Sequence, residues 1–205
     1  MALRVEQLDE AAATALASLP PIFSYGQARD AGLSHRRVYW LRDHGLIEPL
    51  THGSYRRADS PLEVDPDLYE IVTRAANGTI CLTSALVRHQ LTDAIPNQID
   101  IAIPRGQRRP TTVAPVGWHA FSPDTFNIGR DTLQLAGGAS IGIYNAERSI
   151  IDAFRLRHQE GPELAYEALR RWLRRRDSSP AELMRMARHF PKAEPALRRA
   201  LEVLL

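Results

Sequence analysis

The sequence holds one cysteine, Cys81, and one lysine, Lys192, among its 205 residues. A lone cysteine excludes an intramolecular disulfide and fits a thiol kept reduced in the cytosol. Flanked by Ile80 and Leu82, it reads as a small buried group, because a reactive thiol needs an electropositive, partly exposed setting. Long apolar runs are missing too. The longest candidate, 136–143, is broken by Gly137, Gly138 and Gly142, and a membrane helix needs roughly 18–20 apolar residues. Glu6, Asp9 and Glu10 stand where a signal peptide would carry basic and then apolar residues. These absences predict a cytoplasmic chain with no membrane partner. There is no G-x-x-x-x-G-K-[ST] and no kinase glycine-rich loop. The seven histidines are scattered without an i, i+4 pair, so no metal site is expected. No catalytic residue and no cofactor is assigned.

What is present is ordinary in amount and uneven in distribution. A hydrophobic fraction of 44% and a charged fraction of 24% are enough for a soluble core. The length admits one large or two small domains. A net charge of +2 is too weak to indicate nucleic acid by itself. Between Ile22 and Arg57, however, Arg29, Arg36, Arg37, Arg42, Arg56 and Arg57 face only Asp30, Asp43 and Glu48. Between Ala58 and Ile80 the sign flips: Asp59, Glu63, Asp65, Asp67 and Glu70 face Arg74. A basic block followed by an acidic one marks a boundary.

Local patterns supply the elements. Val5 to Leu19 has helical spacing and stops at Pro20-Pro21. Phe23 to Ala31 predicts a short second helix, capped by Ser24 and ended by Gly32. Ser34 predicts the cap of a third helix, from His35 to about His44, ended by Gly45. Two short helices joined by a tight turn give a helix-turn-helix. The period then changes to two, through Leu46, Ile47 and Leu50, with a glycine turn at Thr51-His52-Gly53-Ser54 before Tyr55-Arg56-Arg57. A hairpin directly after a recognition helix is a wing. Ala58 to Asp67, with Pro61 and Pro66, reads as a linker. Beyond it, helices are predicted at 67–76 and 84–91. Ile99, Ile101 and Ile103 alternate with polar or small residues, the mark of a half-buried strand. Further strands are predicted at 116–121 and across 132–144. Helices follow at about 145–158, 163–176, 180–190 and 193–205. The expected fold class is α+β: a winged helix-turn-helix over 1–60, then a small mixed sheet (strands about 97–144) packed with a C-terminal helical bundle (about 145–205) in a second domain, 61–205.

On the third helix Val38 and Leu41 fall inward, while His35, Arg36, Tyr39 and Asp43 lie broadly opposite. The N-terminal half of a recognition helix reaches base edges in the major groove. Here that half is Ser34-His35-Arg36-Arg37. Arginine hydrogen-bonds guanine O6 and N7 together, and Arg36 is the first choice for that contact. Tyr39, Trp40 and Arg42 are candidates for phosphate or sugar contacts. Arg56 and Arg57, with Thr51, His52 and Ser54 at the wing tip, are candidates for phosphates or the minor groove. Against this, Arg36 and Arg37 also fit a solvated helix face, and Trp40 also fits core packing.

Several of these stretches resemble a known family. Phe23-Ser24-Tyr25-Gly26-Gln27-Ala28-Arg29, Gly32-Leu33-Ser34, Leu41-Arg42-Asp43-His44-Gly45-Leu46-Ile47 and His52-Gly53-Ser54-Tyr55-Arg56 are similar to the N-terminal winged helix of AbiEi-family antitoxins. Thr83 to Leu91 is similar to that family's Ser-Ala-(x)-x-x-His-Gly-Leu segment, with Gln90 where glycine is common. Pro96 to Arg105 is similar to its next strand and basic turn, and Glu147 to Asp152 to its Arg-(Thr/Ser)-aliphatic-aliphatic-Asp helix. The resemblance spans about residues 20–160. It implies an antitoxin of a type IV, phage-abortive-infection system, which represses its own operon and neutralises a cognate nucleotidyltransferase-like toxin. Implied partners are operator DNA and that toxin. The chain itself is expected to be a monomer or weak homodimer, cooperative on inverted repeats.

In the second domain the exposed chemistry is mostly arginine. Arg105, Arg108 and Arg109 crowd the loop after the Ile99–Ile103 strand, and Arg170, Arg171, Arg174, Arg175 and Arg176 crowd a helix end. Arg105, Arg108, Arg109, Arg170, Arg171, Arg174 and Arg175 are candidates for toxin docking. The helical set also fits a solvated face paired with Glu163 and Glu167 four residues away. Ser84 is read as a helix cap, and Arg148 with Asp152 as an ion pair. Two other functions stay open. One is an atypical serine protein kinase that phosphorylates the toxin, using Asp100 near the loop arginines with ATP and Mg. The other is a plain winged-helix regulator with a ligand-binding second domain.

Overall fold

Ser24 both ends a strand and caps a helix. The computed structural model describes residues 10–51, 53–60, 65–135 and 138–205, and its chain is α+β. Backbone contacts divide it into two units: Met1–Glu70 with Gln134–Ala139, and Ile71–Leu133 with Ser140–Leu205.

In the first unit α1 (Glu10–Ser18) is followed by β1 (Ile22–Ser24), α2 (Tyr25–Asp30), α3 (His35–Asp43), β2 (Ile47–Thr51) and β3 (Ser54–Arg57). The predicted start of the first helix, 5–9, lies outside the described residues, as do His52 at the wing tip and 61–64 of the linker. The second helix starts two residues later than predicted, because Ile22 to Ser24 pair antiparallel with Arg56 to Ser54. β2 pairs with the other side of β3, so the sheet order is β1-β3-β2. This is the winged helix-turn-helix arrangement.

The caps explain why α2 and α3 sit where they do. Ser24 Oγ accepts the Gln27 N–H and Gln27 Oε1 accepts the Ser24 N–H, a reciprocal capping box. Ser34 Oγ accepts the Arg37 N–H. Both helices end in the same way. Gly32 (φ 92) and Gly45 (φ 67) adopt the left-handed conformation. Leu33 N–H then reaches back to the Ala28 carbonyl, and Leu46 N–H to that of Leu41. Those two leucines thereby return to a core of Phe23, Ala28, Val38, Leu41 and Ile47.

The second unit builds a mixed five-stranded sheet in the order β6-β5-β4-β8-β7, from β4 (Thr79–Ile80), β5 (Ile99–Pro104), β6 (Val116–Phe121), β7 (Arg130–Gln134) and β8 (Ser140–Tyr144). β4 runs antiparallel to β5 and parallel to β8; β5 and β6 are parallel. β4 is only two residues long, too short for an alternating pattern to mark it. Helix α4 (Pro66–Arg74) precedes β4, α5 (Leu82–Arg88) follows it, and the short α6 (Pro123–Phe126) follows β6. Past the sheet run α7 (Ala146–Arg155), α8 (Arg157–Glu160), α9 (Pro162–Leu173), α10 (Pro180–Ala187) and α11 (Glu194–Leu204). α7, α9, α10 and α11 share a core that includes Ile150, Phe154, Leu169, Trp172, Leu183 and Leu197.

Three expectations need correcting. Ser84 does not cap α5. The cap position is Cys81, because the β4-to-α5 junction starts the helix there. Ser84 Oγ instead accepts the Asp100 N–H at 2.9 Å, tying α5 to β5. Ser54 is not an exposed tip residue: it is buried at the start of β3, paired with Ser24 and Thr51. The helix predicted over 145–158 breaks at Arg155 and resumes as α8. No helix among the described residues is long and apolar enough to cross a membrane.

Candidate nucleic-acid interface

The recognition helix α3 buries Val38 and Leu41 and leaves Ser34, His35, Arg36 and Tyr39 exposed. Arg36 makes no ion pair among the described residues. The guanidinium of Arg37 lies 5.7 Å from the Trp40 ring centre. Trp40 is half-buried against the core and stacks on His44, with ring centres 3.8 Å apart. A helical aromatic here therefore has a packing role whatever else it touches.

His35, Tyr39 and Arg42 fall four and three residues apart, so the helical repeat brings them onto one side of α3. The His35 and Tyr39 rings are 4.5 Å apart, and Tyr25 meets His35 edge-on at 5.9 Å. Arg42 lies 4.5 Å over the Tyr39 ring. Its Nε and Nη2 both donate to one oxygen of Asp43, at 2.9 and 2.8 Å, and that ion pair raises the guanidinium pKa further. Tyr25, His35, Tyr39, Arg42 and Tyr55 line a groove of about 440 Å³ that Pro49 and Gly53 close. The groove thus lies between the recognition helix and the hairpin. Tyr25 N–H donates to the Gly53 carbonyl at 2.8 Å, which fixes the start of α2 to the turn of the wing.

The wing arginines have intramolecular partners. Arg56 faces Glu48 across the β2–β3 ladder and bonds it at 2.5 Å. Arg57 grips both oxygens of Asp59 and also donates to the carbonyls of Ala17 and Leu19. It therefore ties the end of β3 to the end of α1. The Asp59 carboxyl is held below its usual range by the Arg57 guanidinium. Tyr25 and Tyr55 were not among the residues picked from the sequence. Their signal is weak, since one follows a cap serine and the other is a single aromatic in a strand.

Residues 10–58 match the family model described as transcriptional regulator, AbiEi antitoxin. Over that stretch the N-terminal unit is similar to the AbiEi antitoxin family. The AbiEi match covers the capped helices and the hairpin, and stops where the first unit's sheet ends. No curated protein matches the chain. Among solved structures, the chain is similar to the RV2827C protein from Mycobacterium tuberculosis. That likeness has a TM-score of 0.54 and 15% identity, and covers 98% of this chain and 80% of that one. At such identity it speaks for the fold of both units and for nothing further.

The arginines of the second unit lie on separate elements. Arg105, Arg108 and Arg109 are exposed in the crossover from β5 to β6. On α9, Arg170 is exposed and Arg171 bridges Glu167 and Asp93. Arg174 is exposed just past the helix, while Arg175 donates to the His89 carbonyl. Asp100 is nearly buried, and His119 Nε2 lies 3.0 Å from its carboxylate.

Proposed function

We propose that this protein is an antitoxin that represses its own operon through the winged helix and neutralises a nucleotidyltransferase-like toxin with its second unit. The observation that carries the DNA-binding half is the exposed start of α3. There Ser34 holds the first turn, His35 and Arg36 face solvent, and the wing lies alongside. Arg36 reads a base; Arg37, Tyr39, Trp40, Arg42, Arg56 and Arg57 position the helix on the backbone. A helix-turn-helix reads one half-site, so repression uses two copies on an inverted repeat. The toxin-docking half is supported by the exposed cations Arg105, Arg108 and Arg109, whose loop holds no acidic residue, and by Arg170 on α9 and Arg174 just past it.

The test uses the full chain and the DNA upstream of its gene. Arg36→Ala is expected to weaken specific binding by about 1–3 kcal/mol and to relax selectivity at one base pair. The same variant should still rescue growth when the neighbouring nucleotidyltransferase-like protein is expressed. Unchanged operator affinity would remove Arg36 from the recognition role. Loss of rescue by a folded Arg36→Ala protein would overturn the division of labour.

A further inference from the structure

The groove between α3 and the wing has a chemistry that base reading does not use. Its polar lining groups come from α2, α3 and β3, yet three phenols and one guanidinium converge on it. Burial pushes the Tyr55 phenol above its usual range, and the nearby phenols of Tyr39 and Tyr25 add to that. Each of the three tyrosines carries a hydroxyl that can donate a hydrogen bond. Among the described residues none of these hydroxyls has a protein acceptor. Arg42, the one guanidinium among the described lining residues, spends Nε and Nη2 on a single Asp43 oxygen, so Nη1 is left over. Among the described residues no carboxylate lines the groove.

O–H donors around one guanidinium suit a monoanionic oxyanion. With a guanidinium and no carboxylate among the described lining residues the groove favours an anion, and its open, mostly apolar walls suit an extended chain more than a compact ligand. We propose that this groove seats a backbone phosphodiester of bound DNA, with Tyr25, Tyr39 and Tyr55 donating to its oxygens and Arg42 supplying the charge. Rings below and a guanidinium beside the phosphate also give the deoxyribose an apolar surface to lie on. The assignment rests on the reading of α3 as the DNA-contacting helix. It explains why aromatics, rather than more arginines, fill the space between helix and wing. Phosphate contacts fix register without reading sequence.

Phenylalanine removes each hydroxyl and keeps the ring, so Y25F, Y39F and Y55F probe the seat in the full chain. Because the hydroxyls have no protein partner, the melting temperature should not move. Each variant is expected to weaken binding about 3- to 10-fold, equally for operator and unrelated DNA. R42M should in addition lower the salt dependence of log Kd by about one unit. Tyrosine variants that bind both DNAs like wild type, while Arg36→Ala is impaired, would overturn the seat and leave the operator reading standing. Wild-type protein that binds no DNA at low salt would instead overturn the operator reading. A titration with inorganic phosphate, followed by the NMR signals of the three tyrosines, separates the sources. Phosphate shifts without any effect of the variants on DNA affinity would assign the groove to a free phosphate and overturn the DNA assignment.

Discussion

Arg148 and Asp152, one turn apart on α7, form an ion pair at 2.9 Å in which both side chains have no solvent exposure. Arg148 Nη1 also donates to the carbonyls of Thr125 and Ile128, which pins α7 to the segment following β6. Its guanidinium lies 4.1 Å from the Tyr144 ring centre and 4.3 Å from that of Phe190. Asp152 takes a second arginine, Arg155, on its other oxygen at 3.0 Å. Burial raises the Asp152 carboxyl despite both arginines. Such a pair is costly to bury and costlier to break, because removing one member leaves the other charged and dry.

Asp152→Ala and Arg148→Ala should each cost about 3–5 kcal/mol in urea unfolding. Replacing both by apolar residues of similar volume should cost less than either single change. A loss below about 1 kcal/mol in Asp152→Ala would mean that the pair does not hold α7 in place.

Gln90 offers a gain of stability. α5 ends as α2 and α3 do: Gln90 N–H bonds the Val87 carbonyl and Leu91 N–H that of Leu86. The residue in the left-handed position is glycine in those helices and Gln90, at φ 58, here. A side chain at that φ is strained, and glycine is not. Gln90→Gly should therefore raise stability by about 1 kcal/mol, read as a shifted urea midpoint at unchanged slope. An unchanged or lower midpoint would show that the Gln90 side chain repays its strain.

Cys81 should be inert in the folded protein. It occupies the cap position before α5, where a helix start favours thiolate. Complete burial dominates and pushes the thiol well above its usual range, with Asp100 and Asp152 adding to the effect. Iodoacetamide should label it slowly in buffer and readily in urea. Rapid labelling at neutral pH in the native state would contradict this.

Asp59 sets a pH dependence. Its carboxyl is held down by Arg57, so the pair stabilises the winged helix above the ordinary carboxylate pKa of about 4. That contribution disappears as the pH falls through the depressed folded value. Asp59 is half-exposed, so the effect should stay under about 1 kcal/mol. Asp59→Asn should be slightly less stable at pH 7 and should lose less stability than wild type between pH 5 and pH 3. Parallel melting curves for the two proteins over that range would remove the pair from the account.

Much of the winged helix was legible in the sequence because its signals are closed locally. Ser24, Ser34, Gly32 and Gly45 each satisfy backbone groups within a few residues, so a cap or a stop can be read from the residues around it. The alternation of Ile99, Ile101 and Ile103 marked β5 for the same reason. β1 and β4 carried no such signal. Each exists because a distant segment pairs with it: β3 for the first, and β5 and β8 for the second. Ser84 likewise looks like a cap in sequence and becomes a bridge once β5 lies beside α5. Arg56 and Arg57 are alike as neighbours in a basic run. Folding gives Arg56 a cross-strand glutamate, and gives Arg57 an aspartate and two carbonyls at the end of α1. Local hydrogen bonding thus let the sequence determine the caps, the hairpin and the basic helix. The convergence of Tyr25, Tyr39, Arg42 and Tyr55 on one groove, and the burial of Arg148 with Asp152, depend on chain segments far apart in sequence. Only tertiary packing could decide them.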